Sequence, residues 1–189
     1  MKIVAVTCAR LESTRIKHKC LQNVGGKKLL RHTIDFAKKL GYQYFIFTKD
    51  AKIKECAYDC EIIHEPENLY DIPGNILEKL IYINNILQAD FIILLQATSP
   101  IRNLDLYRYW IDDFINSNFN IGFSVFQEDR KTYKMNGAFF IMRQENLNIK
   151  NVDIITNNCK MYLDFQNLDI DTEEDLKKVR EYYDIRGGY

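Results

Sequence analysis

The sequence predicts an α/β fold built on one open, mostly parallel β-sheet. Short runs rich in Val and Ile alternate with segments of helical periodicity, and most of the few Gly and Pro residues fall at the junctions between them. No internal repeat, low-complexity tract or linker interrupts this alternation. Strand–helix alternation of this kind indicates a parallel sheet with right-handed crossovers. At 189 residues the chain is expected to form one domain spanning residues 1–189.

Two unbroken apolar runs, residues 2–8 and 89–95, have the pattern of strands that are buried on both faces. Alternating aromatic and apolar stretches predict the remaining strands at residues 42–48, 60–63, 121–126, 137–142 and 161–165.

Helical spacing of apolar residues is clearest over residues 74–88, where Ile76, Leu80, Ile83 and Leu87 recur on one face. The same reasoning predicts helices at residues 28–39, 52–58, 104–116 and 173–183. Open α/β sheets bind ligands at the carboxyl ends of their strands. Functional residues are therefore expected in the loops that follow Cys8, Leu95 and Phe165.

Composition argues against several classes of partner. Hydrophobic residues make up 47% of the chain, charged residues 28%, and the net charge is zero, so no excess charge favours nucleic acid or an anionic membrane. The first residues lack the design of a secretory signal, and no apolar stretch is long enough to span a bilayer. Five scattered cysteines indicate reduced thiols. These features predict a cytoplasmic protein.

The loop after the first strand, residues 9–31, is strongly basic. It contains one acid, Glu12, and the hydroxyl residues Ser13 and Thr14, together with seven cations: Arg10, Arg15, Lys17, Lys19, Lys27, Lys28 and Arg31. Such a loop at a strand exit suits a polyphosphate, although a solvated basic loop is the plain alternative. Neither GxxxxGK[ST] nor GxGxxG is present, which argues against a P-loop kinase or a dinucleotide-binding dehydrogenase.

Residues 164–175 are the acidic counterpart, with six acids and no base. Asp169 and Asp171 are two residues apart, so an extended backbone points both carboxylates to one side, as Mg²⁺ sites require. Thr172 and Asp175 have the spacing of a helix N-cap. The alternative, that the acids only favour the amino end of the last helix, is preferred for Glu173, Glu174 and Asp175.

Several segments resemble one known family. ARLESTRIKHKCL (residues 9–21) resembles the opening signature of the KDO cytidylyltransferases. Further along, LLQATSPIR (94–102), NGAFFIMR (136–143) and DIDTEEDL (169–176) resemble the acylneuraminate (CMP-sialic acid) cytidylyltransferases, with FTKD (47–50) and EPENLYD (65–71) as weaker matches. The resemblance spans nearly the whole chain, with its motifs in the family's order.

This resemblance implies a Rossmann-like three-layer sandwich of the nucleotide-diphospho-sugar transferase type. It further implies an Mg²⁺-dependent enzyme that transfers CMP from CTP to a small acceptor, an acidic keto-sugar, and releases pyrophosphate, for bacterial surface polysaccharide synthesis. The implied catalytic residues are Arg10, Arg15 and Lys19. The nucleotide-binding set is Ala9, Arg10, Ser13, Thr14, Arg15, Lys19, Asn75, Gln96 and Thr98. The acceptor-binding set is Ser99, Arg102 and Asn136, and the metal ligands are Asp169 and Asp171.

The chain departs from the family pattern mainly on the acceptor side. The family's Gly-Gly and Pro-Gly pairs are here Leu11-Glu12 and Lys17-His18, Glu65 stands where relatives have Arg, and Gly74 stands where a Ser is expected. Residues 127–135 form a shortened version of the stretch that builds the dimer and covers the sugar in relatives. Two alternatives therefore stay open: transfer to a smaller or phosphorylated acceptor, and a catalytically silent nucleotide-binding protein. A homodimer would need another surface.

Overall fold

The computed structural model describes residues 1–70, 76–129, 131–143, 158–165 and 168–185. Its strands are β1 (Ile3–Cys8), β2 (Asn23–Val24), β3 (Lys27–Lys28), β4 (Gln43–Thr48), β5 (Glu61–His64), β6 (Phe91–Leu95), β7 (Ile121–Gln127), β8 (Tyr133–Arg143) and β9 (Cys159–Leu163). Its α-helices are α1 (Leu29–Leu40), α2 (Ala51–Cys56), α3 (Glu67–Tyr70), α4 (Ile76–Leu87), α5 (Leu104–Ile115) and α6 (Glu173–Ile185), and a 3₁₀ turn covers Lys19–Leu21.

Seven strands form one sheet in the order β5-β4-β1-β6-β8-β7-β9. Only β8 runs against its neighbours, since it pairs antiparallel with both β6 and β7, whereas the other recorded pairings of this sheet are parallel. The central strands β1 and β6 are the two runs of highest apolar content, and every residue of β6 is buried. The predicted mostly parallel sheet is confirmed.

Helices cover both faces of the sheet. Side chains of α1, α2 and α5 pack with alternate residues of β1, β4 and β6, such as Ala5, Ile46 and Ile93. On the other face α4 packs against the intervening residues, such as Val6 and Phe47. Because successive strand residues point to opposite faces, the same continuous apolar runs supply both cores. The result is the predicted three-layer sandwich.

A third apolar cluster lies outside the sheet and brings together segments that are far apart in the chain. It contains Ile16 from the basic loop, Ile101 after β6, Ile170 from the acidic segment and Val179 from α6, each nearly or fully buried. The β2–β3 hairpin packs on α6 through Val24. This small hairpin was not predicted, because its two-residue strands are too short to show a period.

Most strand boundaries differ from the prediction by one or two residues, as at β9, which spans Cys159–Leu163 instead of residues 161–165, and the largest difference is at β8. β8 begins at Tyr133, four residues before the expected start at Gly137. Tyr133, Lys134 and Met135 are exposed and carry no buried pattern, but they pair with the end of β7 beyond an irregularity between Phe123 and Val125. Residues 127–129 and 131–135 therefore lie at the tip of a β-hairpin. None of the helices in the described ranges has the length and apolarity needed to cross a bilayer.

His32 gives the fold a predicted pH dependence. Its Nε2 lies 2.9 Å from the carbonyl oxygen of Val24, its ring packs 4.7 Å from that of Tyr183, and burial lowers its pKa to about 4. The folded chain therefore disfavours protonated His32, and stability falls as pH drops from about 6.5 toward 4. We expect His32→Gln to reduce the loss of unfolding free energy between pH 7 and pH 5 by about 2 kcal/mol.

Urea titrations at the two pH values measure this difference. His64→Gln is the matched control, since His64 is exposed and its replacement leaves the His32 contribution in place. Equal pH dependence in the parent protein and His32→Gln would contradict the assignment.

Candidate active site

A pocket of about 580 Å³ lies at the carboxyl ends of β1 and β6, where the fold class places ligands. This volume is within the range of small-molecule sites. Its polar lining combines the basic loop, the loop after β6, the start of β8's apolar stretch and the acidic segment: Arg10, Glu12, Ser13, Arg15, Lys19, Gln96, Thr98, Asn136, Asp169 and Asp171. Segments up to about 160 residues apart in the sequence thus meet around one cavity.

The basic loop is anchored at both ends and in the middle. Ala9 is buried, and its N–H donates to the carbonyl of Phe47 at 3.1 Å. The Leu11 N–H donates to the Asp50 carboxylate at 2.6 Å. Further along, the fully buried Ile16 inserts into the third apolar cluster. These contacts hold the loop, and four of the side chains between them line the pocket: Arg10, Glu12, Ser13 and Arg15.

The acidic segment is held by a reciprocal capping box at the start of α6. The Asp175 carboxylate accepts from the N–H of Thr172 at 2.8 Å, and the Thr172 hydroxyl accepts from the Asp175 N–H at 3.2 Å. The same carboxylate accepts from the Asp171 N–H at 3.1 Å. Ile170 is fully buried between the two acids, so Asp169 and Asp171 both line the pocket, as the two-residue spacing predicted.

Asp171 is neutralised from both sides by the basic loop. Arg15 Nη1 lies 3.1 Å from Asp171 Oδ2, and Lys19 Nζ lies 3.2 Å from Asp171 Oδ1. Lys19 is nearly buried and also donates to the Ile170 carbonyl at 2.6 Å, whereas the Arg15 side chain is 59% exposed. Lys19 is therefore the fixed partner and Arg15 the exchangeable one, because exposed ion pairs contribute little.

Asp169 occupies a different environment. Burial raises the pKa of its carboxyl, and the hydroxyls of Thr98 and Ser99 oppose that shift. The Ser99 hydroxyl donates to Asp169 Oδ1 at 3.0 Å. A partly desolvated carboxylate next to a second carboxylate is stabilised when a cation approaches it.

Arg10 lines the pocket, and its guanidinium makes no ion pair or side-chain hydrogen bond with any residue in the described ranges. Other cations of the basic loop are committed elsewhere: Lys27 pairs with Asp35 at 2.5 Å, and Arg31 pairs with Asp59. Of the seven basic residues in the loop, Arg10, Arg15 and Lys19 are the ones that line the pocket. Three cations of the basic loop therefore line the pocket, whereas Lys27 and Arg31 form ion pairs outside it.

Four predicted site residues do not line the pocket. Ala9 and Ser99 are buried, and Thr14 is exposed to solvent. Arg102 turns away from the cavity: its guanidinium donates to the Thr33 hydroxyl at 3.1 Å and to the carbonyl of Gln96, and it lies 5.5 Å from the Phe36 ring. Arg102 thus fastens the end of β6 to α1. Asn75 lies outside the described residues.

A second polar group in the pocket forms where β6 and β8 adjoin. Asn136 is buried, and its Oδ1 accepts from the Ala138 N–H at 3.2 Å and from the Ser124 hydroxyl. Gly137, at φ 70°, lets the Gln96 side chain lie against its backbone. Met135, exposed beside them, also lines the pocket. Sequence reasoning missed Gly137 and Met135, although both flank the Asn that it singled out.

The apolar part of the pocket lining includes two thiols that sequence reasoning also missed. Burial raises the pKa of Cys8 to about 12 and that of Cys20 to about 11. Both thiols stay protonated near neutral pH, and only a thiolate is a competent nucleophile. The remaining missed lining residues are Glu12, Ile76, Leu94 and Ala97.

Glu65, the residue that replaces the family's Arg, forms a buried ion pair with Lys79 of α4. Both charges affect the pKa of the Cys8 thiol, which Lys79 lowers and Glu65 raises. Cys8 in turn lines the pocket. A buried acid needs such a partner, because an isolated charge there would be strongly destabilising. The pair also links the residues on either side of the stretch at 66–75. The departure at Glu65 is therefore matched by a compensating basic residue.

Several solved structures share this α/β fold. CMP:2-keto-3-deoxy-manno-octonic acid synthetase complexed with CTP matches with a TM-score of 0.83 at 15% identity, over 98% of this chain and 100% of that one. The 4-diphosphocytidyl-2C-methyl-D-erythritol synthase from Anaerococcus prevotii DSM 20548 gives 0.71 at 13% identity, over 97% and 96%. Rv0371c from Mycobacterium tuberculosis H37Rv in complex with manganese gives 0.68 at 16% identity, over 96% and 99%. The predicted fold class is confirmed.

The particular family follows from the sequence comparison. A family model described as cytidylyltransferase matches residues 4–185, and the chain belongs to that family. The predictions of family and of a cytidylyltransferase enzyme are confirmed.

Gly137 provides a test of the pocket wall. A Cβ at this position would lie 2.9 Å from Gln96 Nε2, and its φ of 70° is unfavourable for other residues. We expect Gly137→Ala to destabilise the protein by roughly 1–2 kcal/mol and to weaken CTP binding, because Gln96 must move. Calorimetry measures the CTP affinity.

Gly41→Ala is the matched control. Gly41 has a φ of 86° with nothing within 4 Å of an added Cβ, so this variant carries the backbone strain alone. Equal CTP affinity in the two variants would show that Gln96 does not serve the nucleotide.

Proposed function

We propose that this chain transfers CMP from CTP to an acidic keto-sugar and releases pyrophosphate. The observation that carries the proposal is the meeting of three cations, Arg10, Arg15 and Lys19, with the carboxylates Asp169 and Asp171 in one pocket. A triphosphate needs cations, and a metal-bound triphosphate needs carboxylates as well. A silent nucleotide-binding protein would have no use for the second group.

The cations have separate tasks in this proposal. Arg10 is available to bind phosphate oxygens at once, whereas Arg15 must first leave Asp171. Lys19 keeps its bond to the Ile170 carbonyl and holds the acidic segment in place. Ser13 adds a hydroxyl donor from the same loop. These groups neutralise the charge that develops on the leaving pyrophosphate.

The carboxylates fit a divalent cation of the Mg²⁺ type. In the described part of the chain no three metal-ligating side chains cluster together, and Mg²⁺ is commonly held by one or two carboxylates together with waters and substrate phosphates. Asp169 and Asp171 would hold it. When bound, the ion supplies Lewis-acid polarisation of phosphate oxygens and lowers the pKa of an acceptor hydroxyl.

The reaction is then one of positioning. An acceptor hydroxyl oxygen forms a bond to the α-phosphorus, the bond between that phosphorus and its bridging oxygen to the β-phosphate breaks, and the hydroxyl proton passes to solvent. The pocket's contribution is alignment and charge stabilisation, so no strongly basic side chain is required. The protonated thiols of Cys8 and Cys20 take no part.

Asn136 is assigned to the acceptor side of the pocket, whereas Gln96 beside it stays with the nucleotide-binding residues. An acidic keto-sugar is supported by the sequence motifs and by the similarity to an octonic acid synthetase. Such a CMP-activated acid would serve polysaccharide assembly in the cytoplasm. A smaller or phosphorylated acceptor is the second candidate: the segment between residues 127 and 135 is short, its residues 127–129 and 131–135 are exposed, and the erythritol-linked synthase has a similar fold. Arg102 is left out of the acceptor site.

Pyrophosphate release from each nucleoside triphosphate with Mg²⁺ tests the proposal. The acceptor panel contains 2-keto-3-deoxy-manno-octonic acid, N-acetylneuraminic acid and small phosphorylated alcohols. We expect release with CTP and an acidic keto-sugar, and a fall in kcat of roughly 10²-fold or more in Asp169→Asn. Release only with a phosphorylated alcohol would favour the second candidate, and CTP binding without release on any acceptor would favour the silent protein.

Arg15 gives a separate prediction about the empty site. Because Arg15 occupies Asp171 Oδ2, Arg15→Gln is expected to raise the affinity of the nucleotide-free protein for Mn²⁺ by up to about fivefold, the equivalent of an exposed ion pair. Electron paramagnetic resonance of free Mn²⁺ measures it.

Arg10→Gln is the control, since it removes the same charge from the same pocket without freeing a carboxylate oxygen. Equal rises in the two variants would mean that general charge repulsion, not the Arg15–Asp171 pair, limits metal entry.

A further inference from the structure

Ser99 is fully buried and lies behind the pocket wall rather than in it. Its hydroxyl donates to Asp169 Oδ1 at 3.0 Å. A buried hydroxyl facing a carboxylate is far from solvent and cannot contact an acceptor sugar directly. We propose that Ser99 is a positioning residue for the metal site, because its hydroxyl holds one oxygen of Asp169 and thereby sets which oxygen a divalent cation can reach. This inference rests on the proposed function.

The backbone around Ser99 is arranged to keep the hydroxyl in place. The Ser99 N–H donates to the Gln96 carbonyl at 3.4 Å in the turn that follows β6. One residue earlier, the Thr98 carbonyl accepts from the Ile170 N–H at 2.9 Å. The turn after β6 and the acidic segment are therefore joined twice, once through the main chain and once through Ser99 and Asp169.

The two acids are held in the same way. Ser99 occupies Oδ1 of Asp169, and the nearly buried Lys19 occupies Oδ1 of Asp171. Each fixed contact uses Oδ1, and on Asp171 the other oxygen, Oδ2, pairs with the exposed Arg15. Partners that orient the ligands of a metal often contribute 10- to 100-fold to metal affinity, which makes Ser99 measurable.

The test measures the affinity of the full chain for Mn²⁺ with CTP present and acceptor absent. Water-proton relaxation is the readout of binding. We expect Ser99→Ala to lower the affinity of the protein–CTP complex for Mn²⁺ by roughly tenfold or more, because Asp169 loses the donor that holds its Oδ1. CTP affinity in EDTA should change little, since Ser99 does not line the pocket. In turnover assays, the Mg²⁺ concentration needed for half-maximal rate should rise.

Ser124→Ala is the matched control. Ser124 is also fully buried and also bonds a pocket residue, Asn136, but it contacts neither acid. A general loss of packing would affect both variants alike, whereas positioning of the metal site affects only Ser99→Ala. Ser99→Thr, which keeps the hydroxyl, should recover much of the Mn²⁺ affinity if it folds.

The outcomes separate the two proposals. A parent protein that binds Mn²⁺ with CTP, together with Ser99→Ala and Ser124→Ala of equal Mn²⁺ affinity, would overturn the role of Ser99 and leave the proposed function standing. A parent protein that binds CTP but gains no Mn²⁺ site from it would overturn the metal site itself, and Ser99 with it.

Discussion

Burial of Ile16 and Ile170 in one apolar cluster is the constraint on which the site depends. Ile16 is the inward residue of a loop that is otherwise cationic, and Ile170 separates two acids. Each is fully buried, and burying such a side chain contributes about 1.5–3 kcal/mol. Charged segments alone would hold together weakly in water. The apolar contacts bring the two loops within reach, and the charges then face each other across the pocket.

Helix α6 ties this cluster to the rest of the molecule. Leu176 and Val179 pack with Ile16 and Ile170, and the capping box at Thr172 and Asp175 fixes where the helix begins. Because Asp175 also accepts from the Asp171 backbone, the start of the helix sets the direction of that carboxylate. The start of α6, the packing of the third apolar cluster and the position of Asp171 therefore depend on one another. Loss of the last helix would therefore remove the site before it affected the sheet.

Charge is balanced locally throughout the site. The Asp171 carboxylate is shared between a fixed lysine and an exposed arginine, and the buried Glu65 is matched by Lys79. Such balance keeps the empty pocket close to neutral while leaving Arg10 for an anionic ligand. A triphosphate and a divalent cation arriving together would replace one set of ion pairs by another. Preorganised charge of this kind needs little rearrangement when the ligand binds.

Local patterns predicted much of this. Continuous apolar runs identified β1 and β6, the two-residue spacing placed both acids on one side, and the Thr172–Asp175 spacing identified the cap. These features depend on residues close in sequence, where geometry is set by the backbone period. The start of β8 was harder to predict from the sequence, because Tyr133 and Met135 pair with β7 but are exposed and show no buried pattern.

The sequence by itself determined the order of the long strands and helices, the family and the two charged loops. Only the tertiary structure decided how the charges are used. It turned Arg102 away from the pocket onto the Gln96 carbonyl and the Thr33 hydroxyl, and it buried Ser99 behind Asp169. Both residues sit in the same short loop after β6, where no period reports the direction of a side chain. Ser99 bonds Asp169, 70 positions further along, and Arg102 bonds Thr33, 69 positions earlier, so the direction of each side chain depends on packing between distant segments.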